Sequence, residues 1–369
     1  MTRRSRILTT LLLVVVAAVG ALGIALSHNS ACGTAPPLAG GVPTMKAAVF
    51  RCYGSPDVVR IETVAKPVPR DHQLLIRVHA ASLNALDWHL MRGEPYLIRP
   101  AMTGMGAPQD VSLGADFAGT VESVGKLVTR FKPGDEVFGG ASGTLAEYIV
   151  VGEGAALAIK PANLSFDQAA AVPVAALTAL HALRRANLHP GQTVLVNGAA
   201  GGVGTFAVQI ARAMGAEVTA VTSTANLDLV RSLGAHDAID YTRQDFTRDA
   251  LRYDVIIDCG GGHSLTAVRR ALAPTGIYVS VGEAGMGKWI EPFLGFVTQP
   301  VVGLFGKQHY TGLLVNNLDA EGLASMRELL ASGQVRPVID RRYPLEQTAT
   351  GLRYLETGKV RGKLIVSLD

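Results

Sequence analysis

The sequence predicts an α/β protein of two domains: a doubly wound parallel sheet, a partly open β-barrel built from both chain ends, and a hydrophobic helix ahead of them. Three observations predict this. From Gly191 the chain reads as strand, glycine loop, helix and strand; alternating strand and helix patterns run on to Gly282; and short β-like runs separated by turns flank that unit on both sides.

With 369 residues, 48% hydrophobic and 17% charged, the chain is long enough for two ordinary cores. Of the net charge of +4, Arg3, Arg4 and Arg6 supply three, which leaves +1 (4 − 3) for residues 45–369. A nearly neutral body without a clustered basic face excludes nucleic acid as a main ligand. Cys32, Cys52 and Cys259 are odd in number and widely spaced, so neither a disulfide framework nor a zinc knuckle is expected.

Residues 7–26 are uncharged and mostly apolar and follow three arginines, a length that spans a bilayer as one helix. They predict an N-terminal anchor or signal segment over 1–26, membrane association through 7–26, and a flexible linker over 27–44 rich in Pro, Gly and Ala. The expected location is a cell membrane, or export by way of the imperfect twin-arginine pattern at Thr2–Leu8, with the side of the membrane left open.

Thr193–Asn197 is a β-branched and aliphatic run suited to a buried parallel strand. The loop Gly198, Ala199, Ala200, Gly201, Gly202, Val203 and Gly204 then opens a helix whose apolar stripe is Phe206, Val208, Ile210 and Met214. Glycines there permit a tight turn and the approach of a diphosphate to free N–H groups at the helix N-terminus, so Gly198, Ala200, Gly201, Gly202, Val203 and Gly204 are expected to hold a dinucleotide. About 20 residues downstream, where NAD enzymes carry an acid for the ribose, stand Ser223 and Thr224. With two hydroxyls and no carboxylate in that run, NADPH is the expected cofactor. Gly260 and Gly282, after later strand ends, are expected either beside the cofactor or as ordinary turns.

The order MKAAVF (45–50), SLNALDWHLMRG (82–93), LGADFAGTVESVG (113–125), FKPGDEVFG (131–139), GAAGGVG (198–204), RSLGAHDAIDY (231–241) and RGKLIVSL (361–368) resembles the quinone oxidoreductase branch of the medium-chain dehydrogenase/reductase family. The resemblance covers residues 45–369. It implies a GroES-like catalytic domain over 45–165 and 311–369, a Rossmann nucleotide-binding domain over 166–310, and an active site in the cleft between them. It also adds Tyr241 and Lys363 to the expected cofactor contacts.

Zinc enzymes of the same fold place ligands where this chain has Asn84, Ala115 and approximately Val174, none of which ligates zinc, so no metal is expected. Without a Lewis acid, a conjugated acceptor that spreads its charge is easier to reduce than an isolated ketone. The expected reaction is therefore hydride transfer from NADPH to a small hydrophobic quinone or α,β-unsaturated carbonyl. Asn84 and Asp87, with Tyr53, His89 and Tyr96 as hydroxyl or imidazole donors, are the expected catalytic groups. An alcohol/aldehyde oxidoreductase and a membrane-tethered nucleotide-binding interaction protein with little turnover stand as alternatives. The apolar stretch 292–306 is expected as core or as a subunit interface of a homodimer, with a lid over the substrate pocket as its alternative.

Overall fold

A computed structural model describes residues 3–282, 287–289, 298–299, 301–304, 306–312 and 318–368. After helix α1 (Arg3–Ser27), strands β1 (Thr44–Phe50) and β2 (Val59–Ala65) form an antiparallel pair. Strands β3 (Gln73–Leu83), β4 (Asp116–Val124), β5 (Glu136–Gly140), β6 (Tyr148–Gly152) and β7 (Leu157–Ile159) follow, with helix α2 (Ala85–Arg92) between β3 and β4. Joined at the chain's end by β14 (Ile339–Pro344) and β15 (Lys363–Ser367), five of these strands make one sheet in the order β14-β15-β3-β4-β5-β7, with β6 also on β3. Its apolar side chains, among them Ile76, Phe117, Val137, Leu364 and Val366, close the barrel core together with Phe50 of β1.

The nucleotide half begins with helices α3 (Phe166–Ala170) and α4 (Pro173–Arg185). Strands β8 (Thr193–Asn197), β9 (Glu217–Thr222), β10 (Asp237–Asp240), β11 (Tyr253–Asp258), β12 (Leu272–Ser280) and β13 (His309–Gly312) form a parallel sheet in the order β10-β9-β8-β11-β12-β13. Strands β8, β9 and β11 are buried along nearly their whole length, as strands covered on both faces must be. The order reverses between β8 and β11, so the crevice for a ligand lies beyond Asn197 and Asp258 at their carboxyl ends. Helix α5 (Gly202–Ala213) presents Phe206, Val208 and Ile210 to this core as its periodicity predicts, with Met214 packed partly against it.

The return to the catalytic domain comes later than residue 311. Strand β13 still belongs to the nucleotide sheet, and Leu323, Met326 and Leu330 of helix Ala320–Ala331 pack into the same core as α4 and α5. Only at Ile339 does the chain rejoin the barrel. Most of the stretch 292–306, and with it the interface or lid expected there, lies outside the described residues.

Two expectations about the N-terminal segment are corrected. Although residues 7–26 lie within a helix, among the described residues no helix is long and apolar enough to cross a membrane. The anchor, the membrane location and the export alternative expected from this segment are not upheld. Instead, the end of α1 is fastened to the body: Leu26 is buried, and the Arg99 guanidinium donates to the carbonyls of Leu26 and His28 at 2.9 Å each. The cysteines were expected unpaired, yet Cys32 and Cys52 form a disulfide with Cα atoms 4.5 Å apart, because the fastened segment runs back past the end of β1.

Candidate active site

The glycine loop is shaped by sterics. Gly198 has φ +73°, and a Cβ on Gly204 would stand 2.2 Å from the Gly198 carbonyl oxygen and 2.7 Å from Ala199 Cα. Only glycine allows α5 to start this close to the end of β8. The Ala199 N–H donates to the Val221 carbonyl at 3.0 Å, and α5 begins after Gly201, leaving the N–H groups of Gly202, Val203 and Gly204 in the first turn, where a helix has no partner of its own for them. The barrel is stitched to this loop: the Gly362 N–H donates to the Ala200 carbonyl at 2.8 Å, and the position of a Cβ on Gly202 is 3.3 Å from Lys363 Cδ.

Lys363 leads from the loop into a buried polar cluster. Its Nζ donates to Asn84 Oδ1 at 2.5 Å and to Asp116 Oδ2 at 3.2 Å. Asp116, 0% exposed, also accepts from Ser82 Oγ at 2.6 Å, from Asn84 Nδ2 at 3.0 Å and, on its other oxygen, from the Val174 N–H at 2.8 Å. Lys363 is 3% exposed and Asn84 7%. Thus β15, β3, β4 and α4 converge on one carboxylate, and the Lys363–Asp116 pair is a buried salt bridge with supporting hydrogen bonds. Asn84 lies in this cluster with its oxygen and its amide hydrogens already engaged, Nδ2 reaching Ser82 O at 3.4 Å as well. It therefore orients Lys363, which has three N–H groups and uses two here.

The other expected catalytic residues divide into braces and wall. Asp87 completes a capping box at the start of α2: Oδ2 accepts from the Asn84 N–H at 2.7 Å and Oδ1 from the Gly114 N–H at 2.9 Å. Burial pushes its carboxyl up to about 6; the two backbone N–H groups oppose that rise and the nearby Asp116 adds to it. His89 Nδ1 lies 2.9 Å from the Glu94 carbonyl, which can only accept, so the neutral ring carries its proton there and its lone pair on Nε2. Burial holds its pKa below the usual value, so as placed it is an acceptor and not the donor expected. The Tyr53 hydroxyl donates to the Gly104 carbonyl at 2.9 Å. Tyr96 stands at the junction of the domains: its N–H donates to the Lys288 carbonyl at 2.8 Å and its ring meets Trp289 edge-on at 4.8 Å.

At the far end of the crevice the Ser223 and Thr224 hydroxyls are already engaged by protein groups. Thr224 Oγ1 donates a short hydrogen bond to Asp240 Oδ2, and Ser223 Oγ accepts from Asn226 Nδ2 at 3.2 Å. A carboxylate thus does stand beside the end of β9, delivered by the neighbouring strand β10, where Asp240 pairs in register with Thr222. The Thr224 hydroxyl holds that carboxyl below its ordinary pKa. Tyr241 follows it, 61% exposed at the same edge. Gly260 is held in its turn because Asp258 Oδ1 accepts from the Gly260 and Gly261 N–H groups and from Asn197 Nδ2 at 3.1, 2.7 and 2.8 Å. Gly282 has φ +84° with open space where a Cβ would be. Asp116, Ser82, Asn197 and Asp258 were missed by sequence reasoning; the signal available for the two acids was a carboxylate at a strand terminus against an apolar run, Asp116 opening β4 ahead of Phe117 and Ala118 and Asp258 closing β11 after Val255, Ile256 and Ile257.

Two family models match the chain, the alcohol dehydrogenase GroES-like domain over residues 70–161 and the zinc-binding dehydrogenase model over 233–366. A 2-methylene-furan-3-one reductase of Solanum lycopersicum is 35% identical over 338 residues, covering 87% of this chain and 79% of that relative. The chain belongs to the medium-chain dehydrogenase/reductase family. Its relatives fall in the quinone and enone oxidoreductase branch: a chloroplastic NADPH-dependent alkenal/one oxidoreductase of Arabidopsis thaliana is 34% identical, with 87% of this chain and 79% of the relative covered. The structure of the quinone oxidoreductase from Coxiella burnetii superposes with a TM-score of 0.77 at 32% identity, covering 89% of this chain and 100% of the other. Among the described residues no group of three or more His, Cys, Asp and Glu side chains could hold a metal ion.

Proposed function

We propose that this chain is a zinc-independent NADPH-dependent oxidoreductase that reduces quinones or α,β-unsaturated carbonyls. The observation that carries the reading is the Lys363–Asn84–Asp116 cluster abutting the glycine loop. An ammonium lies 2.5 Å from the residue that stands at a zinc-ligand position, and its charge repels a divalent ion there. The stem of the same side chain is brought to the positive end of α5, its Cδ 3.3 Å from where a Cβ on Gly202 would stand. The cradle at Gly198, Gly202 and Gly204, where side chains would fill the space, fits the diphosphate of a dinucleotide.

When bound, NADPH supplies the hydride. The first-turn amides of α5 and the remaining N–H of Lys363 Nζ would hold its diphosphate side, with Gly260 and Gly282 leaving room for it along the carboxyl edge of the sheet. The name of the Arabidopsis relative supports NADPH over NADH, and the Ser223 and Thr224 region is where the adenosine ribose would lie. Asn84 and Asp116 hold the Lys363 ammonium in place. Asp87 sets the start of α2 and Gly114, a positioning role. The Tyr96 hydroxyl, at the domain junction, donates to the oxygen on which negative charge develops. Purified protein should oxidise NADPH steadily with a panel of quinones and enones, and Tyr96→Phe should lower kcat by about 10- to 100-fold while leaving NADPH affinity unchanged. Tight NADPH binding without turnover on any acceptor would instead support a nucleotide-binding interaction protein, and turnover confined to alcohols and aldehydes would support the other alternative.

A further inference from the structure

The segment that precedes the catalytic fold is tied to one particular stretch of it. Arg99 is wholly buried and, among the described residues, forms no ion pair within salt-bridge distance; its five hydrogen bonds go to neutral oxygens. Two of these, the Gly93 and Arg92 carbonyls, end helix α2, and three, the Leu26 and His28 carbonyls and Asn29 Oδ1, belong to the incoming segment. Its guanidinium is gripped by two of the expected site residues, 4.2 Å from the Tyr53 ring and 4.7 Å from that of Tyr96. Further along, the Ser30 N–H donates to the Gly106 carbonyl at 2.8 Å, and Cys32 is bonded to Cys52, the residue before Tyr53. Residues 93–106 are thereby bound from outside by residues 26–32.

The same stretch also touches the nucleotide domain, through Tyr96 N–H to the Lys288 carbonyl, the Glu94–Lys288 ion pair at 3.1 Å, and the Tyr96–Trp289 ring contact. Helix α1 reaches Trp289 too, since a Cβ on Gly23 would lie 3.6 Å from its ring. Between α1 and residues 105–106 is a hollow of about 500 Å³ lined by Ala21, Ile24, Ala25, His28, Ser30 and Met105. The contact is therefore incompletely packed, and the ties at Arg99 and Cys32 are what keep it in register.

We propose that residues 26–33 are a strap that fixes the cleft wall 93–106 against the nucleotide domain, and that the exposed Cys32 makes this fastening releasable by a dithiol. The thiolate of the dithiol attacks Cys32 Sγ; the Cys32–Cys52 bond breaks and Cys52 leaves as a thiolate that takes up a proton. The second thiol then displaces Cys32 as a thiol, so two electrons and two protons have passed to the protein and the dithiol has become a cyclic disulfide. Loosening the wall changes the entry of the acceptor, because Tyr53 and Tyr96 are set by Arg99. This last step rests on the cleft being the acceptor site.

The test is amide hydrogen exchange on the full chain, oxidised, after dithiothreitol, and as Cys32→Ser and Cys32→Ser/Asn29→Ala, together with steady-state kinetics. Exchange over 26–33 and over 93–106 should quicken about tenfold or more on reduction. Cys32→Ser should show the faster rate without reductant and ignore dithiothreitol, and the double variant should be faster still. KM for the acceptor should shift several-fold while the Kd for NADPH stays put. Unchanged exchange over 93–106 in both the reduced protein and Cys32→Ser overturns the strap. A chain that responds in exchange but turns over no acceptor keeps the strap and refutes the reductase; one that turns over with an unresponsive wall does the reverse.

Discussion

Lys363→Met isolates the charge on which the site is built. It removes the cation paired with Asp116 Oδ2 and leaves a fully buried carboxylate with three neutral donors, Ser82 Oγ, Asn84 Nδ2 and the Val174 N–H. Breaking a buried pair from one side costs about 3–5 kcal/mol, since the remaining charge keeps its desolvation penalty and loses its counter-charge. Because three donors persist, the lower end, about 3 kcal/mol, is expected. Asp116→Asn alone strands the ammonium and should be costly as well. The double variant Lys363→Met/Asp116→Asn has no charge left to strand, so its loss should fall short of the sum of the single losses by about 1–3 kcal/mol. Urea unfolding followed by circular dichroism gives the four stabilities of the cycle. A loss under about 1 kcal/mol for Lys363→Met, or strict additivity in the cycle, would refute the assignment of a buried, mutually dependent pair.

Other expected outcomes are more local. Gly204→Ala places a methyl 2.2 Å from the Gly198 carbonyl oxygen, so the loop must open; NADPH affinity by fluorescence titration should fall about tenfold or more, and an unchanged Kd would mean that the loop is not the diphosphate site. For Asp87, the folded pKa of about 6 lies above the unfolded 3.8, so between those values the folded state binds more protons and stability is lost as pH rises. The margin of wild type over Asp87→Asn in unfolding free energy, measured by urea denaturation, should shrink by up to about 3 kcal/mol between about pH 3.5 and pH 7.5, and a margin independent of pH would contradict a buried, protonatable carboxyl. Asp240→Asn removes a negative charge beside Thr224 and should tighten NADPH a few-fold over NADH, the size of a screened surface effect. Equal changes for both nucleotides would place the 2′-phosphate elsewhere.

The sequence by itself determined the parts of this protein governed by residues near one another in the chain. The glycine spacing from Gly198 to Gly204, the helical stripe Phe206, Val208 and Ile210, and the apolar runs of β8 and β11 each express a local period or a local steric limit, and all three are found as read. What a side chain does once the chain has folded was decided by the tertiary structure alone. Asn84 could be placed from sequence, but Lys363, 279 positions away, engages its oxygen only because β15 pairs with β3 in the register Leu364 to Leu83. Asp240 reaches Thr224 only because β10 lies parallel to β9. Likewise an apolar N-terminal run reads the same whether its end is free or held, and what holds it, Arg99 and the Cys32–Cys52 bond, comes from other elements of the fold. Hydrophobic period and backbone sterics are short-ranged and so are written along the chain; hydrogen bonds and ion pairs between distant residues depend on sheet register and docking, which the whole fold sets at once.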